Sequence, residues 1–458
     1  MPKVGSAIDF TAQKYKKMEM KPFIAVADFE SFLDKQDEGN RYGKTGDTTI
    51  LQTHRAASFT IQLIADPQVG YDRQAVFTYK LSNILDPVEY EKDVLRQFNQ
   101  ALQDIATKVV VFMNLRQTKF ARIEDVEGLF TEEDKAQHEQ ALRCDFCSKA
   151  FGTDRVKVRD HCHLTGKYRR ALCSQCNLNN KTEYNIPLYF HNARGYDNNH
   201  IFKMLKQEDS FGVNVLNTNS ETTMMIKMDK YTNFVVKHGA IEKKRKISFH
   251  VKDSLQVMNT SLDTLLKNLP HEQKVHQLQH MKKTYPHIDL EKETNLSNLL
   301  LGKGMFPYSW FDSPDKFKAT SLPSKEDWYD CLKQDDVSDE DYDKALKVWE
   351  TLRCKTFKDY HDFYLNMDVL GLADTLQAMR RQLHETHKID VCHYCSLPSF
   401  SFDAWLLQRS QETQKGLECL DNPEMYGFFE DQKRGGFTCA IKRHCKADNK
   451  ITRKCGIG

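Results

Sequence analysis

The run Lys-Pro-Phe-Ile-Ala-Val-Ala-Asp-Phe-Glu from Lys21 to Glu30 is nearly continuous apolar sequence opened by a proline, which predicts a buried strand. Residues 37–49, rich in Gly, Asp, Thr and Lys, read as a loop. Ala57 to Ala65 and Ala75 to Lys80 are β-branched and aromatic enough for two further strands. Tyr90 to Val111 and Thr131 to Leu142 repeat their apolar positions at helical spacing. Ile186 to Phe190 resumes as a strand. Strand-like runs follow at Val213 to Leu216, Met224 to Met228, Phe234 to Val236 and Ile247 to Val251. From Ser261 the pattern turns helical, and an acidic stretch, Asp335 to Asp343, leads into helical spacing with one break from Tyr342 to Thr386.

The segment Cys144 to Lys181 has little periodicity, many basic residues and two Cys-x-x-Cys pairs, so it reads as a small module inserted into a larger α/β unit. The expected divisions are a polar tail (1–22), a first part of the main domain (23–143), the insert (144–181), a second part (182–400) and a basic linker (401–458). From Lys433 onward eight Lys or Arg face one acid, Asp448, a local charge hidden by the whole-chain balance of 66 basic against 64 acidic residues. With 40% apolar and 28% charged residues the chain has an ordinary globular composition. Its longest apolar stretches are too short for a membrane span, and its charged start lacks an apolar signal core. A reducing, intracellular compartment is expected, the nucleus ahead of the cytoplasm, with the thirteen cysteines reduced and several of them binding metal.

Three short patterns carry acidic chemistry. Asp28 and Glu30 are two apart on a strand and leave the same face, where two carboxylates repel unless a cation compensates them. In Asn192-Ala-Arg-Gly-Tyr-Asp197 a glycine after a strand permits a sharp turn that delivers Asp197 to a helix start, where a plain cap is the alternative role. In Tyr364-Leu-Asn-Met-Asp368 the phenol and carboxylate share a helix face, with apolar neighbours that make an unpaired charge costly.

Together these pieces resemble the three exonuclease motifs of family B DNA polymerases. The resemblance implies an α/β fold, namely a ribonuclease H-like exonuclease domain (a mixed sheet flanked by helices), an inserted zinc module and a helix-rich C-terminal part. It further implies 3′–5′ proofreading, with two Mg²⁺ or Mn²⁺ ions held by Asp28, Glu30, Asp197 and Asp368. Tyr364 would orient the attacking water, and Asn192 would contact the terminal nucleotide. Ser261-Leu262 resembles the element with which protein-primed members hold single-stranded DNA, and Lys303-Gly-Met-Phe306 resembles the one whose lysine supports the scissile phosphate. A helix start and a solvated lysine are the alternatives. Arg434-Gly435-Gly436 resembles the element joining exonuclease to polymerase, with Lys433 where a tyrosine is usual; its backbone amides could contact a DNA phosphate. The stretches Lys303 to Trp310, Trp328 to Asp368 and Cys395 to Leu407 resemble the group found in self-synthesising transposons.

Two catalytic runs of the polymerase palm, Asp-x-x-Ser-Leu-Tyr-Pro and Asp-Thr-Asp, occur nowhere in the sequence, so a fragment that stops before its palm is expected. The resemblance to protein-primed members implies a terminal protein as a possible primer and single-stranded 3′ ends as substrate, and no membrane partner is expected.

In the insert, Cys144, Cys147, Cys173 and Cys176 supply four thiolates at spacings suited to one structural Zn²⁺. With Arg159-Asp-His-Cys-His163 between them, and Asn177 after the last cysteine, the insert resembles ββα-metal endonucleases of the junction-resolving type. That resemblance implies His161 as base, Asp160 and Asn177 as Mg²⁺ ligands, and branched duplex DNA as a further partner. A zinc knuckle that only stiffens the fold or grips DNA is the alternative. So is a chain encoded as a stand-alone nuclease, or a DNA-binding remnant that no longer cleaves. Cys392 and Cys395 read as ordinary thiols.

Overall fold

The computed structural model describes residues 2–10, 14–35, 52–121, 129–180, 185–207, 212–219, 222–238, 241–290, 294–330, 334–413 and 416–432. Its strands are β1 (Ala7–Ile8), β2 (Phe23–Lys35), β3 (Gln52–Ala65), β4 (Val76–Thr78), β5 (Lys157–His161), β6 (Tyr168–Cys173), β7 (Asn185–Phe190), β8 (Gly212–Asn217), β9 (Thr223–His238), β10 (Ile241–Asp253) and β11 (Leu417–Glu418). Its helices are α1 (Pro87–Lys119), α2 (Glu132–Gln140), α3 (Ser174–Asn179), α4 (Asp197–Gln207), α5 (Leu255–Met258), α6 (Leu262–Asn268), α7 (Val275–Thr284), α8 (Thr294–Leu300), α9 (Asp339–Thr351), α10 (Phe357–His387), α11 (Leu397–Thr413) and α12 (Pro423–Asp431).

Seven strands form one mixed sheet in the order β4-β3-β2-β7-β10-β9-β8. β2 runs antiparallel to β3 and parallel to β7, and β7 runs parallel to β10. Because alternate strand residues face opposite sides, β2 and β3 divide their chemistry between two faces. Phe29 and Phe59 meet Phe98 of α1 on one side, at ring separations of 4.7 and 5.2 Å. On the other side Ser58 Oγ meets His361 Nε2 at 2.9 Å and Thr60 Oγ1 donates to Asn366 Oδ1 at 3.1 Å, both from α10. Burying each Phe, Leu or Ile of this core contributes about 1.5–3 kcal/mol, and α1 alone buries Leu95, Phe98, Leu102 and Ile105 completely.

Several elements outrun what the apolar period suggested. α1 extends beyond Tyr90–Val111 at both ends. Asp86 caps it, accepting from the Val88 and Glu89 amides at 3.0 and 2.9 Å, with Pro87 in the first turn. The separate runs at Met224 and Phe234 are one strand, β9, paired along its length with β10. The expected helical break falls between α9 and α10, where Arg353 has φ +56°.

By internal contacts residues 11–408 form one unit, and residues 1–10 with 409–458 form another. Residues 14–22 are built into the larger unit: Lys14 and Lys17 pair with Asp403 at 2.7 and 2.8 Å, and the buried Lys21 amide donates to Asp390 Oδ2 at 2.7 Å. The continuous helix α11 crosses position 400, burying Phe400, Leu406 and Leu407. In the smaller unit β1 pairs antiparallel with β11. Among the described residues no helix is long and apolar enough to cross a membrane.

Candidate nuclease and metal centres

Asp28, Glu30 and Asp368 come together where β2 meets α10, each offering a carboxylate oxygen, and these atoms all lie within 4.8 Å of one another. Glu30 and Asp368 are 7% and 2% exposed. Packing three acids this closely makes their charged forms expensive. Burial pushes the Asp28 carboxyl up to about 6, while Lys303 and the Phe29 amide, which donates to Asp28 Oδ1 at 2.9 Å, draw it back. Burial and then the Asp28 charge push Glu30 up to about 8, again opposed by Lys303. Asp197, the first residue of α4 and 2% exposed, is held well above the usual carboxylate range by burial and then by Asp28. Its Oδ1 and the Oδ1 of Asp368 are buried without a hydrogen-bond partner. Three gathered carboxylates, one with an orphaned oxygen, are a hard-oxygen donor set that suits a divalent cation such as Mg²⁺, and Asp197, outside that group, carries a second orphaned oxygen.

Tyr364 lies one turn before Asp368, as the spacing required. Its hydroxyl meets Tyr308 Oη at 2.7 Å and accepts from Lys303 Nζ at 2.9 Å. Lys303 also pairs with Asp368 Oδ2, and its ammonium stands 4.9 Å from the Tyr364 ring centroid. Gly304 permits this approach: a Cβ there would meet Tyr364 Cδ2 at 2.7 Å. A cavity of about 840 Å³ opens beside the pair, lined by Leu266, Lys267, Lys303, Tyr364 and Met367 among others.

The turn before Asp197 is made differently from the expectation. The residue with left-handed backbone is Asn192, φ +71°, not the glycine; asparagine adopts this conformation more readily than other non-glycine residues. Gly195 instead leaves room for the Asn192 side chain, whose Oδ1 would lie 2.7 Å from an added Cβ. Asp253, buried at the end of β10, clamps the turn by accepting from the Asn192 and Arg194 amides at 3.0 and 3.3 Å. Ser261 is exposed and caps α6, its Oγ accepting from the Thr264 amide at 3.3 Å, while Leu262 is buried beneath it. Arg434, Gly435 and Gly436 lie outside the described residues.

Sequence reasoning missed Tyr308, Gly304 and Asp253. Each acts through a contact between segments remote in sequence; the glycine beside Lys303 was the one visible signal.

In the insert, β5 and β6 form a two-stranded ribbon followed by α3. The four thiols of Cys144, Cys147, Cys173 and Cys176 all lie within 4.8 Å of one another, so this group could hold zinc. Around it the charged residues are engaged internally. Asp160, 3% exposed, pairs with Arg169 Nη2 at 2.8 Å and Arg170 Nε at 3.5 Å, and both arginines also pair with Glu19. Lys157 donates to the Glu139 and Ala141 carbonyls. These pairs and hydrogen bonds tie Lys157, Arg169 and Arg170 into the fold. His161 is buried with Nε2 3.0 Å from the Phe120 carbonyl, and Asn177 is exposed on α3. Among the described residues, the groups of three or more His, Cys, Asp or Glu close enough to share an ion are the two described, so Asp160 and His161 join neither. Cys392 and Cys395 are free thiols. His138 of α2 meets Tyr168 of β6 at 3.1 Å, which joins α2 to the ribbon.

Comparison with known families found two matches. The family described as DNA polymerase type B, organellar and viral, matches residues 177–451. The family described as recombination endonuclease VII matches residues 121–196. No curated protein and no solved structure matched the chain.

Proposed function

Since the chain belongs to the organellar and viral type B DNA polymerases and so acts on DNA, we propose that its larger unit is a 3′–5′ proofreading exonuclease of ribonuclease H-like fold. The proposed setting is a polymerase of the protein-primed type, with a terminal protein as its priming partner. The observation that carries this is the cluster of Asp28, Glu30 and Asp368 oxygens within 4.8 Å, beside an orphaned Asp197 oxygen. These four carboxylates would hold two Mg²⁺ or Mn²⁺ ions, which supply an activated water and neutralise charge on the leaving 3′ oxygen. Tyr364, fixed by Tyr308 and Lys303, orients the attacking water through its hydroxyl. Lys303 steadies the scissile phosphate, Asn192 touches the terminal nucleotide, and Ser261 with Leu262 guides the single strand. A single strand labelled at its 3′ end should lose that label as the first product in Mg²⁺. Loss of a 5′ label first, or internal cuts alone, would refute the polarity.

A second reading gives the insert its own nuclease centre, favoured by the endonuclease match over residues 121–196. We favour a structural zinc knuckle instead, because Asp160 is committed to two arginines and His161 to a backbone carbonyl. Closed circular DNA should remain uncut. Circles linearised by wild type and spared by a folded His161→Ala variant would establish the second centre.

A further inference from the structure

The cavity of about 840 Å³ beside Tyr364 has walls that the proposed reaction mostly leaves unused. It shares Lys303 and Tyr364 with that reaction, but Asp28, Glu30, Asn192, Asp197, Ser261 and Leu262 do not line it. Its walls are one face each of α9 and α10, with parts of α6, α8 and the loop after α8. Helical spacing sets those faces: Tyr360, Phe363 and Met367 recur along α10, and Asp341, Lys344 and Val348 along α9, at steps of three and four residues. We propose that this cavity is a second binding site, one that takes a nucleoside 5′-monophosphate. Trimming releases such compounds, so the choice of ligand rests on the exonuclease reading, while the site rests on its own walls.

Those walls divide by chemistry. Leu266, Leu301, Phe363 and Met367, all buried, form an apolar floor on which a flat base can rest. The charged lining residues are five lysines and two aspartates. Asp263 offsets Lys267 at 2.7 Å, and Glu340 and Asp341 each meet Lys344 at 3.0 Å. Lys274 and Lys347 add positive charge that these acids do not offset. Lys274, 8% exposed, donates to the Leu301 carbonyl at 3.1 Å. That neutral acceptor takes one of the three N–H groups of an ammonium. Burial draws the Lys274 ammonium below the ordinary lysine value, with Asp374 opposing, so an incoming phosphate would relieve a penalty already present. Lys347 is exposed at the mouth and enters no ion pair among the described residues. The volume falls within the range usual for small-ligand sites, about 300–1,000 Å³, and admits one nucleotide. Tyr364, one turn before Asp368, belongs both to this cavity and to the surroundings of the carboxylates, so a freed mononucleotide has a neighbouring place to go.

Equilibrium dialysis of radiolabelled deoxyadenosine 5′-monophosphate against the full chain, in magnesium-free buffer, tests this without any turnover. Wild type should bind it saturably. Lys274→Met and the exposed, fold-safe Lys347→Glu should each weaken binding by about tenfold or more, the loss of one hydrogen bond to a charged group. Lys318→Glu, an exposed lysine outside the cavity, should leave binding unchanged. Unlabelled deoxyadenosine, which lacks the phosphate, should compete poorly. The triphosphate competing more than tenfold better than the monophosphate would give the site to free nucleotides and overturn the product assignment. No saturable binding to wild type, binding that survives both cavity variants, or an equal loss in Lys318→Glu would overturn the site. Release of a 3′ label, measured separately, keeps the two readings apart. Trimming without monophosphate binding would sink this proposal alone, whereas variant-sensitive binding in a protein that never trims would sink the exonuclease reading and, with it, the product as the ligand.

Discussion

The Glu30 carboxyl is pushed up to about 8 by burial and then by the Asp28 charge. In the unfolded chain the same group releases its proton near 4.5. Between those limits the folded, metal-free protein binds more protons than the unfolded one, so its stability falls as pH rises from about 4.5 to 8. Denaturant titrations at pH 5 and 8 in magnesium-free buffer should show that loss in wild type and a shallower one in Glu30→Gln. An equal slope in both would assign the pH dependence elsewhere. Mg²⁺ requires the ionised carboxylates, so its affinity should rise over the upper part of the same window. The pairing of Asp28 with Glu30, and of Tyr364 with Asp368, was legible because strand and helix periods put each pair on one face. That Lys303 closes the cluster with an ion pair, and that Tyr308 buttresses Tyr364, was not legible: no local period links residues 56 to 65 positions apart.

Among the elements, the segment from Gly302 to Met305 shows how a loop without regular structure can set the site. Gly304 lies against the Tyr364 ring so closely that a methyl group would have to displace it. Gly304→Ala should therefore separate Lys303 from Tyr364 and lower trimming by about tenfold or more, the cost of mispositioning a reacting group, with little change in thermal stability. Wild-type trimming in that variant would show that the close approach is dispensable. The turn at Asn192 teaches the same lesson from the other side. A glycine in the motif invited the backbone role, yet asparagine carries the positive φ, and the buried Asp253 from β10 holds the turn shut. Strand and helix identities were readable from periodicity, but lengths were not, since β9 and β10 continue as a paired hairpin through exposed lysines such as Lys243 and Lys244.

At the scale of the molecule, residues 14–22 bind the zinc-competent module to the rest of the larger unit. Tyr15 stacks on Phe146 at 5.0 Å between ring centroids, Glu19 pairs with Arg169 and Arg170, and the Met18 and Glu19 carbonyls meet His384 and His393. A segment that reads as a polar tail thus acts as a strap, invisible in sequence because its partners are charges hundreds of residues away. Purified protein should carry about one Zn²⁺ per chain. Cys173→Ser should lose it and expose residues 14–22 to proteolysis, while wild type free of zinc yet intact in this region would refute the site. The central claim is that β2 and α10 join their carboxylates into a two-metal nuclease. Its most direct test is the release of a 3′-terminal label from single-stranded DNA in Mg²⁺ by wild type and by a folded Asp28→Ala/Glu30→Ala variant. Wild type should release the label as a mononucleotide and the variant should release none; trimming at an undiminished rate by the variant would contradict the account.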